Sequence, residues 1–302
     1  MIALQALGIK EGDEVITTPF TFAATGNSIL YVGAKPVFAD IDPKTFNIDP
    51  HSIEERITEK TKAILPVHLY GQPCEMKRIM KICHDNGLFL IEDAAQAHGA
   101  EYGGKKAGSF GDISCFSFYA TKNLVTAEGG MCLTGSEELC EKMRMIRNHG
   151  QGVQYEHHML SYNFRMTDIN AALGIVQLEK LDFLNSKREE NARFFTERLK
   201  DVEWLETPFV SENVKHAWHQ YTLKILEEKR DAFLKHMEGV GVGCRVYYPT
   251  PLYMQPFYKR LGFESDCPIS ERLSREVVSI PVGPHLSEAD RLCIVNGIKD
   301  FK

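Results

Sequence analysis

Leu88 to Ala100 reads LFLIEDAAQAHGA. Its opening run LFLI is unbroken and apolar, the pattern of a strand buried on both faces. Glu92 and Asp93 end the run and small residues follow, so Asp93 is expected at the carboxyl end of a buried strand, where open α/β sheets place their ligands. Runs of the same kind recur on either side: DEVITT from Asp13, AKPVFADI from Ala34, KAILPVHL from Lys62, DISCFSFY from Asp112 and GGMCLTG from Gly129. Helical patterns stand between several of them, over Pro50–Ile57, over Glu75–His84 with Met76, Ile79, Met80 and Cys83 on one stripe, and over Glu137–Ile146. Strand-length runs alternating with helices predict an α/β fold, a mostly parallel sheet flanked by helices.

After Thr167, a good N-cap, the segment DINAALGIVQLEKLDFL starts a helical pattern that continues to about Leu199, with Ile169, Leu173 and Val176 at helical spacing. Beyond Trp204 the pattern changes to strand-like HQYTLKIL, a helix over Arg230–Glu238, strand-like GCRVYY and a closing helix after Ser287. Two domains are expected: 1–204, α/β with connecting helices, and 205–302, a smaller α+β unit.

Composition narrows the class. The 302 residues carry 35 Lys plus Arg against 41 Asp plus Glu, and 43% are hydrophobic, which suits an ordinary globular protein and excludes disorder and collagen-like structure. A net charge of -6 without a basic run argues against a nucleic-acid surface. Eight cysteines form no C-x-x-C pair and sit mostly inside apolar runs, so they read as small buried hydrophobes; no metal site is expected, and a reducing compartment fits. The opening MIALQALGIKEGDE has no basic n-region followed by a long apolar stretch, and no run approaches a membrane span, so the protein is expected to be cytoplasmic.

Two residues carry the chemistry. Asp93 is either a ligand-facing carboxylate or the N-cap of a following helix. Gln96 and His98 stand close behind it, and a lone histidine there is as well explained by packing as by catalysis. Lys122, in SFYATKNLVTAEGG, follows the apolar run ISCFSF; a flexible cation at a strand end must find an anion or lose its proton, unless it points into solvent. A neutral lysine can act as a Schiff-base nucleophile. Lysine and carboxylate together are what pyridoxal phosphate requires, the lysine to hold its aldehyde and the carboxylate to keep its ring nitrogen protonated. Phe20 or Phe22 in TTPFTFAATGNS could stack on the ring, and the Ser117 hydroxyl could bind the phosphate; core packing and a strand-end hydroxyl are the plainer alternatives. No strand is followed by G-x-G-x-x-G, which argues against a nicotinamide-dependent dehydrogenase.

The segments GDEVITTPFTFAAT, GAKPVFADID, AILPVHLYG, IEDAAQAHGA, SFYATKNLVTAEGG, YNFRMTDINAALG and RVYYPTPLYMQP resemble the DegT/DnrJ/EryC1/StrS sugar aminotransferases, enzymes of pyridoxal-phosphate fold type I. The resemblance runs from about Ala6 to the C-terminus. It implies that Lys122 forms the Schiff base, that Asp93 partners the pyridine nitrogen, that Gln96 lies near the ring hydroxyl, that Ser117 binds the phosphate and that Phe22 stacks on the ring. Asn163 matches an asparagine that reaches the phosphate in the neighbouring subunit, which implies a homodimer with shared sites. A lysine, where one branch of the family has histidine, implies transamination, with L-glutamate as the usual donor and a nucleotide-diphosphate-linked keto-sugar as acceptor.

Arg165, His149 and Arg245 flank these motifs and are candidates for the sugar diphosphate or the donor carboxylate; surface or interdomain ion pairs are the alternative. The family begins some tens of residues earlier than this sequence, with a Gly-Thr/Ser element that cradles the phosphate. The expectation is therefore a family member with that cradle missing, and a catalytically impaired or silent fold relative is the competing reading.

Overall fold

The computed structural model describes residues 1–301. In chain order it contains α1 (Ile2–Ala6), β1 (Glu14–Thr17), α2 (Ala23–Leu30), β2 (Lys35–Phe38), α3 (Pro50–Glu55), β3 (Thr61–Leu65), α4 (Met76–Asn86) and β4 (Phe89–Asp93). Two short strands follow, β5 (Glu101–Tyr102) and β6 (Lys105–Lys106), then β7 (Ile113–Ser117), β8 (Gly130–Leu133), α5 (Glu137–Arg147) and the long α6 (Asp168–Leu199). The last third holds β9 (Leu205–Glu206), β10 (Val214–Lys215), β11 (Tyr221–Ile225), α7 (Arg230–Gly239), α8 (Pro256–Arg260), α9 (Pro268–Glu276), β12 (Val277–Ile280) and α10 (Glu288–Lys299).

Six strands form the central sheet in the order β2-β1-β3-β4-β7-β8. The first five run parallel, and β8 lies antiparallel to β7 with Cys115 opposite Cys132. A parallel sheet needs cover on both faces. One face packs Val15, Ala63, Ile91 and Ile113 against Leu4, Ile29 and Ile146; the other packs Ile16, Ile64 and Leu90 against Ile53, Ile79 and Cys83. The expected mostly parallel sheet is present.

Local chemistry sets the helix ends. The Asp49 side chain accepts from His51 N at the start of α3, with Pro50 in the first turn; Ser136 accepts from Leu139 N to start α5, and Thr167 accepts from Asn170 N to start α6. Gly87 ends α4 in the left-handed conformation, φ 61. On α4 the buried residues are Met76, Ile79, Ile82 and Cys83, so three of the four stripe residues read in the sequence are buried, while Met80 is exposed and Ile82 takes its place. Cys293 is exposed, unlike the buried cysteines Cys74, Cys83 and Cys267.

A second core surrounds the antiparallel sheet β12-β11-β9, where Tyr221, Leu223, Phe233, Val278 and Ile298 meet Ala192, Phe195 and Leu199 from the C-terminal half of α6. The stretch GCRVYY is not a strand: Arg245 alone bridges, to Ser279, and the chain then turns through Tyr248 with φ 66. Left-handed backbone ends pairing there and redirects the tyrosine. The Asp40 carboxylate, just past β2, accepts from Ile269 N, Ser270 N and Ser270 Oγ in the first turn of α9, tying the C-terminal part to the central sheet. No described helix is long and apolar enough to cross a membrane.

Candidate active site

Because β1, β4 and β7 are parallel, the loops that follow them share one edge of the sheet, and the site is built there. Asp93 is the last residue of β4 and is half-buried. Its Oδ2 accepts from Thr25 Oγ1 at 2.8 Å and its Oδ1 from Ala95 N at 3.2 Å, so both oxygens are oriented before any ligand arrives. Thr25 sits in the first turn of α2, where Phe22 is the N-cap residue. The N-cap reading of Asp93 itself fails, since no helix follows β4 before β5.

Next to Asp93, Glu92 is fully buried and accepts from His68 Nε2 at 2.9 Å, Gly108 N at 2.7 Å, Phe110 N at 2.7 Å and Gly111 N at 2.8 Å. Burial alone would raise its carboxyl, but His68 and the backbone donors hold it below its usual range. The carboxylate thus locks the connection leading into β7 onto the strand that ends in Asp93.

Ser117 closes β7 and shares a cavity of about 220 Å³ with Asp93, Thr25, Ser28 and Cys115, bordered by Met1 and Leu4 of the first helix. Lys122 follows on a turn where its N–H donates to Tyr119 O at 2.9 Å. Burial lowers its ammonium from the ordinary lysine range, and the charge of Asp93 opposes that in part. Asn123 anchors the turn, donating to Asn185 Oδ1 and Ala217 O, while its Oδ1 lies 3.1 Å from His219 Nδ1.

The two phenylalanines separate. Phe20 is fully buried and packs on Phe46 and Tyr248, whereas Phe22 is 65% exposed. Phe22 lines a second cavity of about 510 Å³ with Asn27, Tyr248, Phe257 and Arg260. Gln96 is buried, its Oε1 accepting from Tyr70 N at 2.7 Å and its Nε2 donating to Tyr248 Oη at 2.8 Å. His98 is buried against Phe116 and Phe118; burial and the nearby Lys122 charge lower its pKa to about 4, so the ring is neutral at pH 7.

The remaining candidates lie elsewhere on the chain's surface. Asn163 bridges Asn148, Arg165 donates to Asn148 Oδ1 at 2.6 Å, and the exposed His149 donates its N–H to Tyr162 O. These three gather on one exposed segment, and none lines either cavity. Arg245 is exposed beside β12 and lines neither cavity. Thr25, Tyr248 and Asn123 are site residues that the sequence reading did not single out. Each stands inside a quoted segment, GDEVITTPFTFAAT, RVYYPTPLYMQP and SFYATKNLVTAEGG respectively, without a role assigned to it there.

Comparison with known proteins identifies the family. Residues 1–299 match the DegT/DnrJ/EryC1/StrS aminotransferase family. The chain is 41% identical over 289 residues, 95% of its length and 77% of the relative's, to the UDP-N-acetyl-3-dehydro-alpha-D-glucosamine 3-aminotransferase of Acidithiobacillus ferrooxidans. Among solved structures it resembles S. venezuelae DesV in complex with a ketimine intermediate, at TM-score 0.95 and 34% identity over 99% of this chain and 81% of that one. It also resembles NtdA from Bacillus subtilis with bound cofactor PMP, at TM-score 0.91 and 33% identity over 99% of this chain and 69% of that one. The chain therefore belongs to the DegT/DnrJ/EryC1/StrS family of pyridoxal-phosphate-dependent aminotransferases.

Proposed function

We propose that the protein transfers an amino group from L-glutamate to a keto-sugar linked to a nucleotide diphosphate. The observation that carries the reading is the placement of Asp93, fixed by Thr25 and Ala95 on one cavity with Ser117, beside a lysine whose charge burial disfavours. The relative from Acidithiobacillus ferrooxidans, whose name specifies a UDP-linked 3-keto sugar, supports the choice of acceptor.

The residues present fit pyridoxal phosphate. Phe22 offers an exposed aromatic face on the rim of the larger cavity, Asp93 a carboxylate for the ring nitrogen, Ser117 a hydroxyl for the phosphate and Lys122 an amine to hold the aldehyde, and Gln96, its amide held by Tyr70 N and Tyr248 Oη, is the residue assigned to the ring hydroxyl. When bound, the cofactor supplies an electron sink that lets the donor's α-proton leave. Lys122 Nζ takes that proton and returns it on the other side of the reaction, and burial favours the neutral amine this requires. Asp93 holds the ring nitrogen protonated, and Thr25 holds Asp93. The larger cavity, with Tyr248, Phe257 and Arg260 on its wall, takes the sugar nucleotide.

A homodimer with shared sites completes the reading. Leu160, Ile169, Ile175 and Leu178 are 91%, 75%, 64% and 62% exposed, and Leu173 and Val176 are exposed beside them. So much exposed apolar surface around the start of α6 calls for a partner. In this reading a second copy covering it would bring Asn163 to the neighbour's phosphate, with Arg165 and His149 near the substrate, and Arg245, exposed beside β12, is assigned to the substrate from the smaller unit. That unit is 205–302, set against 1–204, with the end of α6 reaching into its core. The eight free thiols suit a reducing compartment, and the cytoplasm is the proposed location.

The test is spectroscopic and kinetic. Purified protein with pyridoxal phosphate is expected to show a visible band that Lys122→Ala loses, to lose that band on adding L-glutamate, and to regain it with a nucleotide-linked keto-sugar. A folded Lys122→Ala protein that still forms the covalent adduct would sink the assignment of Lys122, and a band unmoved by any amino donor would sink transamination.

A further inference from the structure

Tyr248 occupies an unusual position. Its backbone is left-handed, φ 66, which is strained for an aromatic residue and persists only where surrounding contacts enforce it. The contacts are visible: its ring stacks on Tyr70 with centroids 6.5 Å apart and planes 9° apart, and meets Phe20 edge-on at 6.0 Å. The strain redirects the phenol away from the strand line begun at Arg245 and onto the wall of the 510 Å³ cavity that also holds Phe22.

The hydrogen-bond direction at that phenol is determined by its neighbour. Gln96 Oε1 is committed to Tyr70 N, so the other end of the amide, a donor, must face Tyr248. Tyr248 Oη therefore accepts, and its own proton finds no acceptor among the described residues. Asn27, across the cavity, accepts from Tyr258 Oη through its Oδ1, which leaves its amide nitrogen without a protein acceptor as well. A wall with unused donors suits a ligand rich in oxygen acceptors.

We propose that Tyr248 donates its phenolic hydrogen bond to an oxygen of the keto-sugar and so orients the amino acceptor, while Gln96 ties that donor to the cofactor side of the site. The inference rests on the sugar-aminotransferase reading above. Burial, with the charge of Asp93, raises the Tyr248 hydroxyl well above its ordinary range, so it remains a neutral donor across the working pH. Amino donors lack the sugar, so Tyr248 acts in one half of the reaction only.

The two half-reactions separate this role from a packing role. Tyr248→Phe keeps the ring stacked on Tyr70 and removes only the hydroxyl. The loaded wild-type and variant enzymes are followed by cofactor absorbance, first with L-glutamate, then, in the aminated form, with a panel of UDP-, GDP- and dTDP-linked 3-keto and 4-keto sugars. The expected result is a fall of roughly 3- to 10-fold in the second-order constant for the sugar, the size of one neutral hydrogen bond. The glutamate half-reaction and the cofactor affinity are expected to stay within about twofold of wild type, well below one hydrogen bond's worth, while the melting temperature falls by a few degrees because the buried Gln96 Nε2 loses its acceptor. Equal sugar constants in the two proteins, or equal losses in both half-reactions, would overturn the role of Tyr248 while leaving the aminotransferase reading standing. A wild-type enzyme that reacts with glutamate and with none of the sugars would overturn the sugar reading and the Tyr248 assignment with it.

Discussion

The Thr25 hydroxyl donates to Asp93 Oδ2 at 2.8 Å across 68 residues of sequence, joining the first turn of α2 to the last residue of β4. A hydroxyl bonded to a carboxylate is a strong, directional contact, worth about 1.5 to 3 kcal/mol. Thr25→Val, which keeps the shape, is expected to lower the single-turnover rate with L-glutamate by about tenfold, and Asp93→Asn by roughly 10² to 10³. If the threonine acts through the aspartate, adding Thr25→Val to Asp93→Asn costs nothing more. Rates that multiply in the double variant would show that Thr25 acts independently.

Glu92 is the neighbouring case on the same strand. Four donors converge on its carboxylate, and Gln in its place would turn an amide nitrogen toward at least one of them. Glu92→Gln is expected to cost about 3 kcal/mol or more, the range for breaking a buried charged pair, read as a lowered urea midpoint at unchanged slope. His68→Phe should shift the midpoint in the same direction.

Acid sensitivity follows from two buried histidines. His98 is lowered from 6.5 to about 4 by burial and the Lys122 charge, and His216 to about 3 by burial. The unfolded chain binds those protons at higher pH than the folded protein, so their contribution is complete above about pH 6.5 and is lost as pH falls toward 4 and below. For His98 alone the loss is on the order of 3 kcal/mol. His98→Phe is expected to flatten the fall of stability between pH 6.5 and 4, measured by denaturant titration at each pH; an unchanged slope would remove His98 from the account.

The exposed stripe on α6 predicts assembly. Leu173→Asp places a charge where the helix presents Ile169, Leu173 and Val176. Sedimentation is expected to find wild type as a dimer and this variant as a monomer, with cofactor affinity reduced because a shared phosphate contact is lost. A variant that stays dimeric would move the interface off this face.

Much of this molecule is written locally. The run LFLIED ends in a carboxylate because a strand buried on both faces must be apolar until it emerges, and ISCFSF followed by Lys122 repeats that logic one strand over. Alternating runs and helix signals therefore determined the parallel sheet, the placement of Asp93 and Ser117 at its edge, and the turn that carries Lys122. The pairing of Thr25 with Asp93 was decided only in three dimensions, since parallel strands bring together loops that are far apart in sequence. Tyr248 is the clearest instance. GCRVYY has strand composition, but packing against Tyr70 and Phe20 holds Tyr248 left-handed and turns its hydroxyl to Gln96. On α6, periodicity marked an apolar stripe, and only the folded chain revealed that none of the described residues buries it. A sequence pattern records which side chains avoid water; which neighbours they meet depends on contacts distant along the chain.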